Sequence, residues 1–224
     1  MIPLRDVIPS RTTPYVTVAI IAMNAAAWLY ELAVPRNVLP LFLQIYGVVP
    51  ADLHTSSLFT SMFLHGSWSH VIGNMWYLWI FGDNVEDRLG HGRFIIFYLL
   101  CGVVSAMGQV VMDPTSALPT IGASGAIAGV MGAYFVLYPK SRVLTLIPLI
   151  IIWEVIELPA IFLLGFWFLM QLVNAGAVAT TASTGGGGVA FAAHVAGFVA
   201  GLIAVFVFRK PETHMWDYGS RFEN

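Results

Sequence analysis

Apolar residues in this chain run in stretches far longer than a soluble strand or helix requires, and polar residues cluster between them. A helix crossing a bilayer takes about 20 mostly apolar residues. Spans are therefore predicted from Pro14 to Ala33, Ser69 to Val85, Phe94 to Met112, Ser124 to Tyr138 and Val189 to Phe208. The second is the least apolar, carrying His70 and Asn74. Between Val143 and Val178 the apolar run is too long for one span and short for two, and Pro148, Glu154, Glu157 and Pro159 interrupt its first half. A charge at mid-bilayer costs at least about 2.5 kcal/mol. Val143 to Ile152 is accordingly read as a buried or interfacial segment, and Leu158 to Val178 as the fifth of six spans. The first loop, Val34 to Trp68, contains the amphipathic runs LFLQIYGVV and LFTSMFLHG, which predict a segment lying in or near the outer interface.

Basic residues orient this pattern. With six spans, Arg5, Arg11, Arg88, Arg93, Lys140, Arg142, Arg209, Lys210 and Arg221 fall on one side, and only Arg36 on the other. The positive-inside rule then puts both termini in the cytoplasm. Seven spans would divide the basic residues between the two sides. The expected organisation is a short cytoplasmic N-terminus (1–13), an all-α six-helix membrane bundle (14–208) and a cytoplasmic tail (209–224).

Composition agrees. Hydrophobic residues make up 58% of 224 positions and charged residues 10%, against about 25% charged in soluble domains. A net charge of −2 by itself says nothing about nucleic acid, but the chain has no basic cluster and no acidic tail, and no nucleic-acid partner is expected. Cys101 is the single cysteine, which excludes an intramolecular disulfide and a cysteine metal site. No signal peptide is evident; short loops and the lack of a targeting segment point to a prokaryotic plasma membrane.

The topology brings polar side chains to one depth. Spans two, four and six all enter from outside, so His70, Asn74, Ser124 and His194 reach a common external level. His194 sits five residues into its span, about 7 Å below its start. Intramembrane polar groups are functional candidates by default. Gly125 with Gly129, and Gly197 with Gly201, form small-xxx-small patterns beside Ser124 and His194. They let two backbones approach closely, as a shared Ser–His hydrogen bond requires.

Ser124 opens its helix within Gly122-Ala123-Ser124-Gly125, where it could simply cap. The same helix N-terminus would also suit an oxyanion, and Gly122 and Gly125 leave room for a substrate backbone. His194 is read as a neutral general base. No Asp or Glu lies at that depth on that side, so a dyad is inferred rather than a triad. His70 and Asn74, four apart on one helix face, can donate to an oxyanion. His65 is read as organising the loop. No HExxH and no nearby carboxylate support a metal site, and no cofactor is implied. Glu86 and Arg88 close the second span as a structural ion pair or as solvated groups, and Cys101 packs as a small hydrophobe.

Three segments, HGSWSHVIGNMWYLWIFGDNVEDRLG (65–90), GASGAIAGVMGAY (122–134) and AHVAGFVAG (193–201), resemble the rhomboid intramembrane serine proteases. The resemblance implies a six-helix core with a cavity open to the outside. It implies Ser124 as nucleophile and His194 as general base, an oxyanion hole from His70, Asn74 and the Ser124 N–H, and a structural Glu86-x-Arg88 element. The chain departs from some members in three ways. HTSSLFTSMF lacks a Trp-Arg pair. Ala128 stands where an aromatic would stack on the catalytic histidine, so another group must orient His194. The thirteen residues before the first span leave no soluble N-terminal domain.

The function expected is endopeptidase cleavage of transmembrane substrates, with access through the fifth span and the loop 176–188. The alternatives are a catalytically inactive rhomboid-like binder of membrane proteins and a transporter. The second is disfavoured because no charged path leads to the cytoplasmic side.

Overall fold

The computed structural model describes residues 1–149, 152–180 and 190–211. The chain runs β1 (Ile2–Asp6), α1 (Tyr15–Ala33), α2 (Leu39–Tyr46), α3 (Ser57–Thr60), α4 (Trp68–Leu89), α5 (His91–Met112), α6 (Ser124–Leu137), β2 (Arg142–Leu149), β3 (Ile152–Pro159), α7 (Ala160–Thr180) and α8 (Phe191–Phe208). Among the described residues, α1, α5, Ala160–Ala177 of α7 and α8 are long and apolar enough to cross a membrane, and α6 is a shorter apolar helix.

The centre of the bundle is α6. Every residue from Gly125 to Tyr134 is buried, because α4, α5, α7 and α8 all pack against it. At 14 residues it is about 21 Å long, against a hydrocarbon core of about 30 Å. Its contact with α8 is the most extensive in the bundle. A Cβ on Gly197 would strike the carbonyl oxygen of Gly125, and one on Gly201 the carbonyl oxygen of Gly129. The two backbones touch where a side chain would hold them apart.

Helix boundaries have local causes. Ser67 caps α4, its hydroxyl accepting the His70 N–H at 3.2 Å. Gly90, at φ 85°, turns α4 directly into α5, a left-handed conformation glycine adopts without steric cost. The first turn of α1 is capped from another helix. The fully buried Glu86 carboxylate accepts the N–H groups of Val16 (2.9 Å) and Thr17 (2.8 Å) and the Thr17 hydroxyl (2.7 Å). Its remaining contact is His91 Nδ1 at 2.5 Å. For Glu86, the expectation of an ion pair with Arg88 or of a solvated group is thereby corrected: it is neither solvated nor seen paired with Arg88. The carboxylate serves donors that α1 leaves open, while Arg88 Nη1 donates to the Lys210 carbonyl at 2.9 Å.

The all-α expectation is also corrected. The fold is mostly helical but carries a three-stranded antiparallel sheet in the order β1-β2-β3. Val143 to Leu149, part of the stretch read as a buried or interfacial segment, lie in β2, and β2 pairs with β3 from Arg142↔Pro159 to Leu149↔Ile152, so that Leu158 and Pro159, read as the start of the fifth span, belong to a strand. Val143, Thr145, Ile147, Val155 and Ile156 are β-branched, which favours strands. Pairing satisfies the backbone without a helix that would carry Glu154 and Glu157 through lipid. Glu157 instead meets Arg142 across the hairpin at 3.0 Å. β1 adds to the other edge of β2 and is tied to the bundle by Trp76 Nε1 donating to the Pro3 carbonyl (2.7 Å) and the Tyr134 hydroxyl donating to Asp6 (2.7 Å). Burial pushes the Asp6 carboxyl up to about 6.

Residues 34–67 fold into α2, α3 and short 3₁₀ turns. They are pinned to the segment entering α6 by the Val48↔Thr120 bridge and by the Gly122 N–H donating to the Ser61 carbonyl at 2.9 Å. Leu41, Ile45 and Tyr46 of α2 are exposed. The proposed gate segment is described only as far as Thr180, where α7 ends; residues 181–188 of it, and 212–224 of the tail, lie outside the described residues.

Candidate active site

Three helix beginnings define the site: residue three of α4 (His70), residue one of α6 (Ser124) and residue four of α8 (His194). Ser124 does not cap its own helix; the N-cap residue is Ala123, without a side-chain cap bond. The hydroxyl crosses to α8 instead and lies 2.7 Å from Nε2 of His194. The Gly125–Gly197 contact lies beside it.

The other ring nitrogen of His194, Nδ1, meets Oε1 of Gln171 on α7 at 2.8 Å. An amide oxygen only accepts, so Nδ1 carries the hydrogen and Nε2 is left to accept from Ser124. Trp167, one turn before Gln171, flanks the same ring at a centroid distance of 5.8 Å. These two α7 side chains contact the ring where Ala128 cannot. Neither was singled out from the sequence. The available signal was an amide inside an otherwise apolar span, four residues from a tryptophan and so on its face.

On the opposite side of the serine stands Gly122, at φ 127°. A Cβ there would lie 2.7 Å from Nε2 of His70 and 3.6 Å from Oγ of Ser124, so both groups border one small space. Nδ1 of His70 receives the Gly66 N–H at 3.4 Å, which leaves the hydrogen of a neutral ring on Nε2, toward that space. The first-turn N–H groups of α6 have no partner within the helix and open from the same end.

Asn74, one turn beyond His70, is buried, with Nδ2 3.0 Å from Nε2 of His65. The His65 and His70 rings meet edge to face at 4.9 Å. Burial lowers the His65 ring to about 4, so it is neutral at ordinary pH. His65 therefore touches the cluster through Asn74 and His70, while its backbone N–H donates to Glu31 at 2.9 Å. Gly201 lies deeper, where α8 crosses α6. Among the described residues, no three His, Cys, Asp or Glu side chains converge as metal ligands would.

A polytopic helical membrane protein with a serine–histidine pair at the start of a short central helix is the class this fold and site define. Comparison with known proteins gives the family: the Rhomboid domain matches residues 52–211, and the chain belongs to the rhomboid family. YdcA of Bacillus subtilis is 31% identical over 127 residues, covering 55% of this chain and 62% of that protein. Rhomboid protease GluP of the same organism is 36% identical over 85 residues, covering 38% and 16%. Rhomboid-like protein 11, chloroplastic, of Arabidopsis thaliana is 27% identical over 180 residues, covering 75% and 60%. In each case the match spans less than two thirds of the relative's own length.

Proposed function

We propose that this protein is an intramembrane serine endopeptidase that hydrolyses peptide bonds in or near the transmembrane segments of other membrane proteins. The observation that carries the reading is the 2.7 Å hydrogen bond between Ser124 Oγ and His194 Nε2 at the start of a short, fully packed helix. In the reaction, Nε2 takes the hydroxyl proton as Oγ attacks the scissile carbonyl carbon. Negative charge developing on the carbonyl oxygen is met by Nε2–H of His70, the amide of Asn74 and N–H groups at the α6 N-terminus. His194 passes its proton to the departing amine. It then accepts a proton from the water that hydrolyses the acyl-enzyme, restoring Ser124. Gln171 keeps the ring in the required tautomer throughout.

In this reading α1 and α4 to α8 make six crossings, both termini are cytoplasmic, and the site opens to the extracytoplasmic side of a prokaryotic plasma membrane. Arg88, Arg93, Arg209 and Lys210 support that orientation. They sit together near the end of α4, the start of α5 and the end of α8, away from the serine.

The test is labelling of the purified protein by a fluorophosphonate probe, with cleavage of a single-span substrate followed in parallel. Labelling should disappear in Ser124→Ala, and cleavage in both Ser124→Ala and His194→Ala, with insertion unchanged. Wild-type protein that neither labels nor cleaves would favour the inactive, substrate-binding alternative.

A further inference from the structure

The mechanism makes no use of Glu31, a carboxylate near the end of α1 that is only 4% exposed. It accepts the backbone N–H of His65 at 2.9 Å. Glu31, His65 and Trp28 also line a cavity of about 110 Å³, room for a few water molecules at about 30 Å³ each. Two donor sites in its wall, Nδ1 of His65 and Nε1 of Trp28, are buried without a protein partner. The residues bearing them are 2% and 7% exposed. Buried polar atoms of this kind are ordinarily satisfied, by water where protein does not reach them.

The hydrogen bonding of His65 gives the cavity a direction. Its Nε2 accepts from the Asn74 amide at 3.0 Å. A neutral imidazole has one N–H, so an accepting Nε2 places the hydrogen on Nδ1. That hydrogen needs an acceptor, and the cavity wall supplies one in the carboxylate of Glu31. With the opposite tautomer, Nε2–H would draw the Asn74 amide round to present its oxygen. The nitrogen, the donor an oxyanion needs, would then be misplaced.

We infer that Glu31 is a positioning residue for the oxyanion site: through water held in the cavity it takes the Nδ1 hydrogen of His65, and His65 in turn holds the Asn74 amide by one N–H, leaving the other N–H for the oxyanion. The inference rests on the serine-protease reading. Glu31 touches neither substrate nor serine and acts only through His65 and Asn74.

Two measurements test it. Solid-state NMR of the full-length protein with ¹⁵N-labelled histidine, assigned by loss of the signal in His65→Gln, should show His65 as the Nδ1–H tautomer. An Nε2–H ring overturns the inference and needs no variant of Glu31. In the cleavage assay, Glu31→Leu should lower kcat about tenfold with KM nearly unchanged, and Glu31→Gln, which keeps an acceptor, should restore most of it. Adding Glu31→Leu to Asn74→Ala should cost nothing further. Losses that multiply, or a Glu31→Gln as impaired as Glu31→Leu, would show a general packing role instead. Fluorophosphonate labelling of the wild type separates the two levels. Without it the serine-protease reading fails, whereas labelled protein with an Nε2–H His65 sinks this inference alone.

Discussion

His194 Nδ1 and Gln171 Oε1 are 2.8 Å apart, and they join α8, which carries the histidine, to α7, which also sets Trp167 beside the same ring. Removing the amide leaves the ring free to turn or to change tautomer, so Gln171→Leu should lower kcat by about tenfold or more, with KM little changed. Gln171→Glu, which still accepts from Nδ1–H, should retain far more activity. Steady-state cleavage of a single-span substrate checks both, and equal activity in Gln171→Leu and wild type would remove Gln171 from the site.

The backbone contact of α6 with α8 leaves no space for a side chain. Gly201→Val would press two methyl groups against the Gly129 carbonyl. Overpacking against a backbone that cannot yield should destabilise by about 3 kcal/mol, seen as a lowered midpoint in thermal or denaturant unfolding in detergent. Since the same contact sets the Ser124–His194 distance, fluorophosphonate labelling should fall with it. Gly66, with open space around its Cβ position, is the control: Gly66→Ala should barely move the unfolding midpoint.

Glu86 satisfies three donors of α1 from a fully buried position. Glu86→Leu strands them, at about 1–3 kcal/mol for each buried unsatisfied group. The expected result is a loss of several kcal/mol, with α1 the first helix to open in hydrogen exchange. Glu86→Gln keeps one acceptor oxygen and should lose less.

The buried His65 and the half-buried Asp6, both outside the spans, set opposing pH dependences. Burial holds the His65 ring at about 4 instead of the ordinary 6.5. The unfolded chain therefore binds this proton more readily, and the His65 contribution to stability, complete above 6.5, is lost as pH falls toward 4. Asp6 is raised from 3.8 to about 6, so the folded state binds that proton more readily and stability declines as pH climbs through that window. The two slopes oppose each other between about 4 and 6. Relative to wild type, the stability of Asp6→Asn measured by unfolding should shift toward rising with pH across that range, and that of His65→Gln toward falling. Identical pH profiles for the two variants would contradict the burial of these groups.

Much of this architecture was legible in the linear pattern. Helix positions follow from runs of apolar residues. The predicted start at Ser124 coincides with that of α6, and the other predicted span boundaries lie within four residues of the helix ends. Hydrophobic length is a local property, and lipid punishes any unpaired backbone severely enough to make it decisive. The placement of Ser124, His70 and His194 in the first turns of their helices was legible for the same reason, since each is counted from a helix start. The hairpin was not legible. Residues 142–159 show no strict alternation, and the partner strand β1, more than a hundred residues away, with the packing of the sheet against Trp76 and Tyr134, fixes them as part of a sheet. Nor were the partners of the site side chains. Gln171 on His194, Glu86 on α1, and Glu31 and Asn74 on His65 each join elements whose relative rotation no local pattern encodes. A chain's own periodicity states which residues face inward and how deep they lie. Which of them meet depends on how rigid helices pack against one another, and that is a property of the assembled bundle.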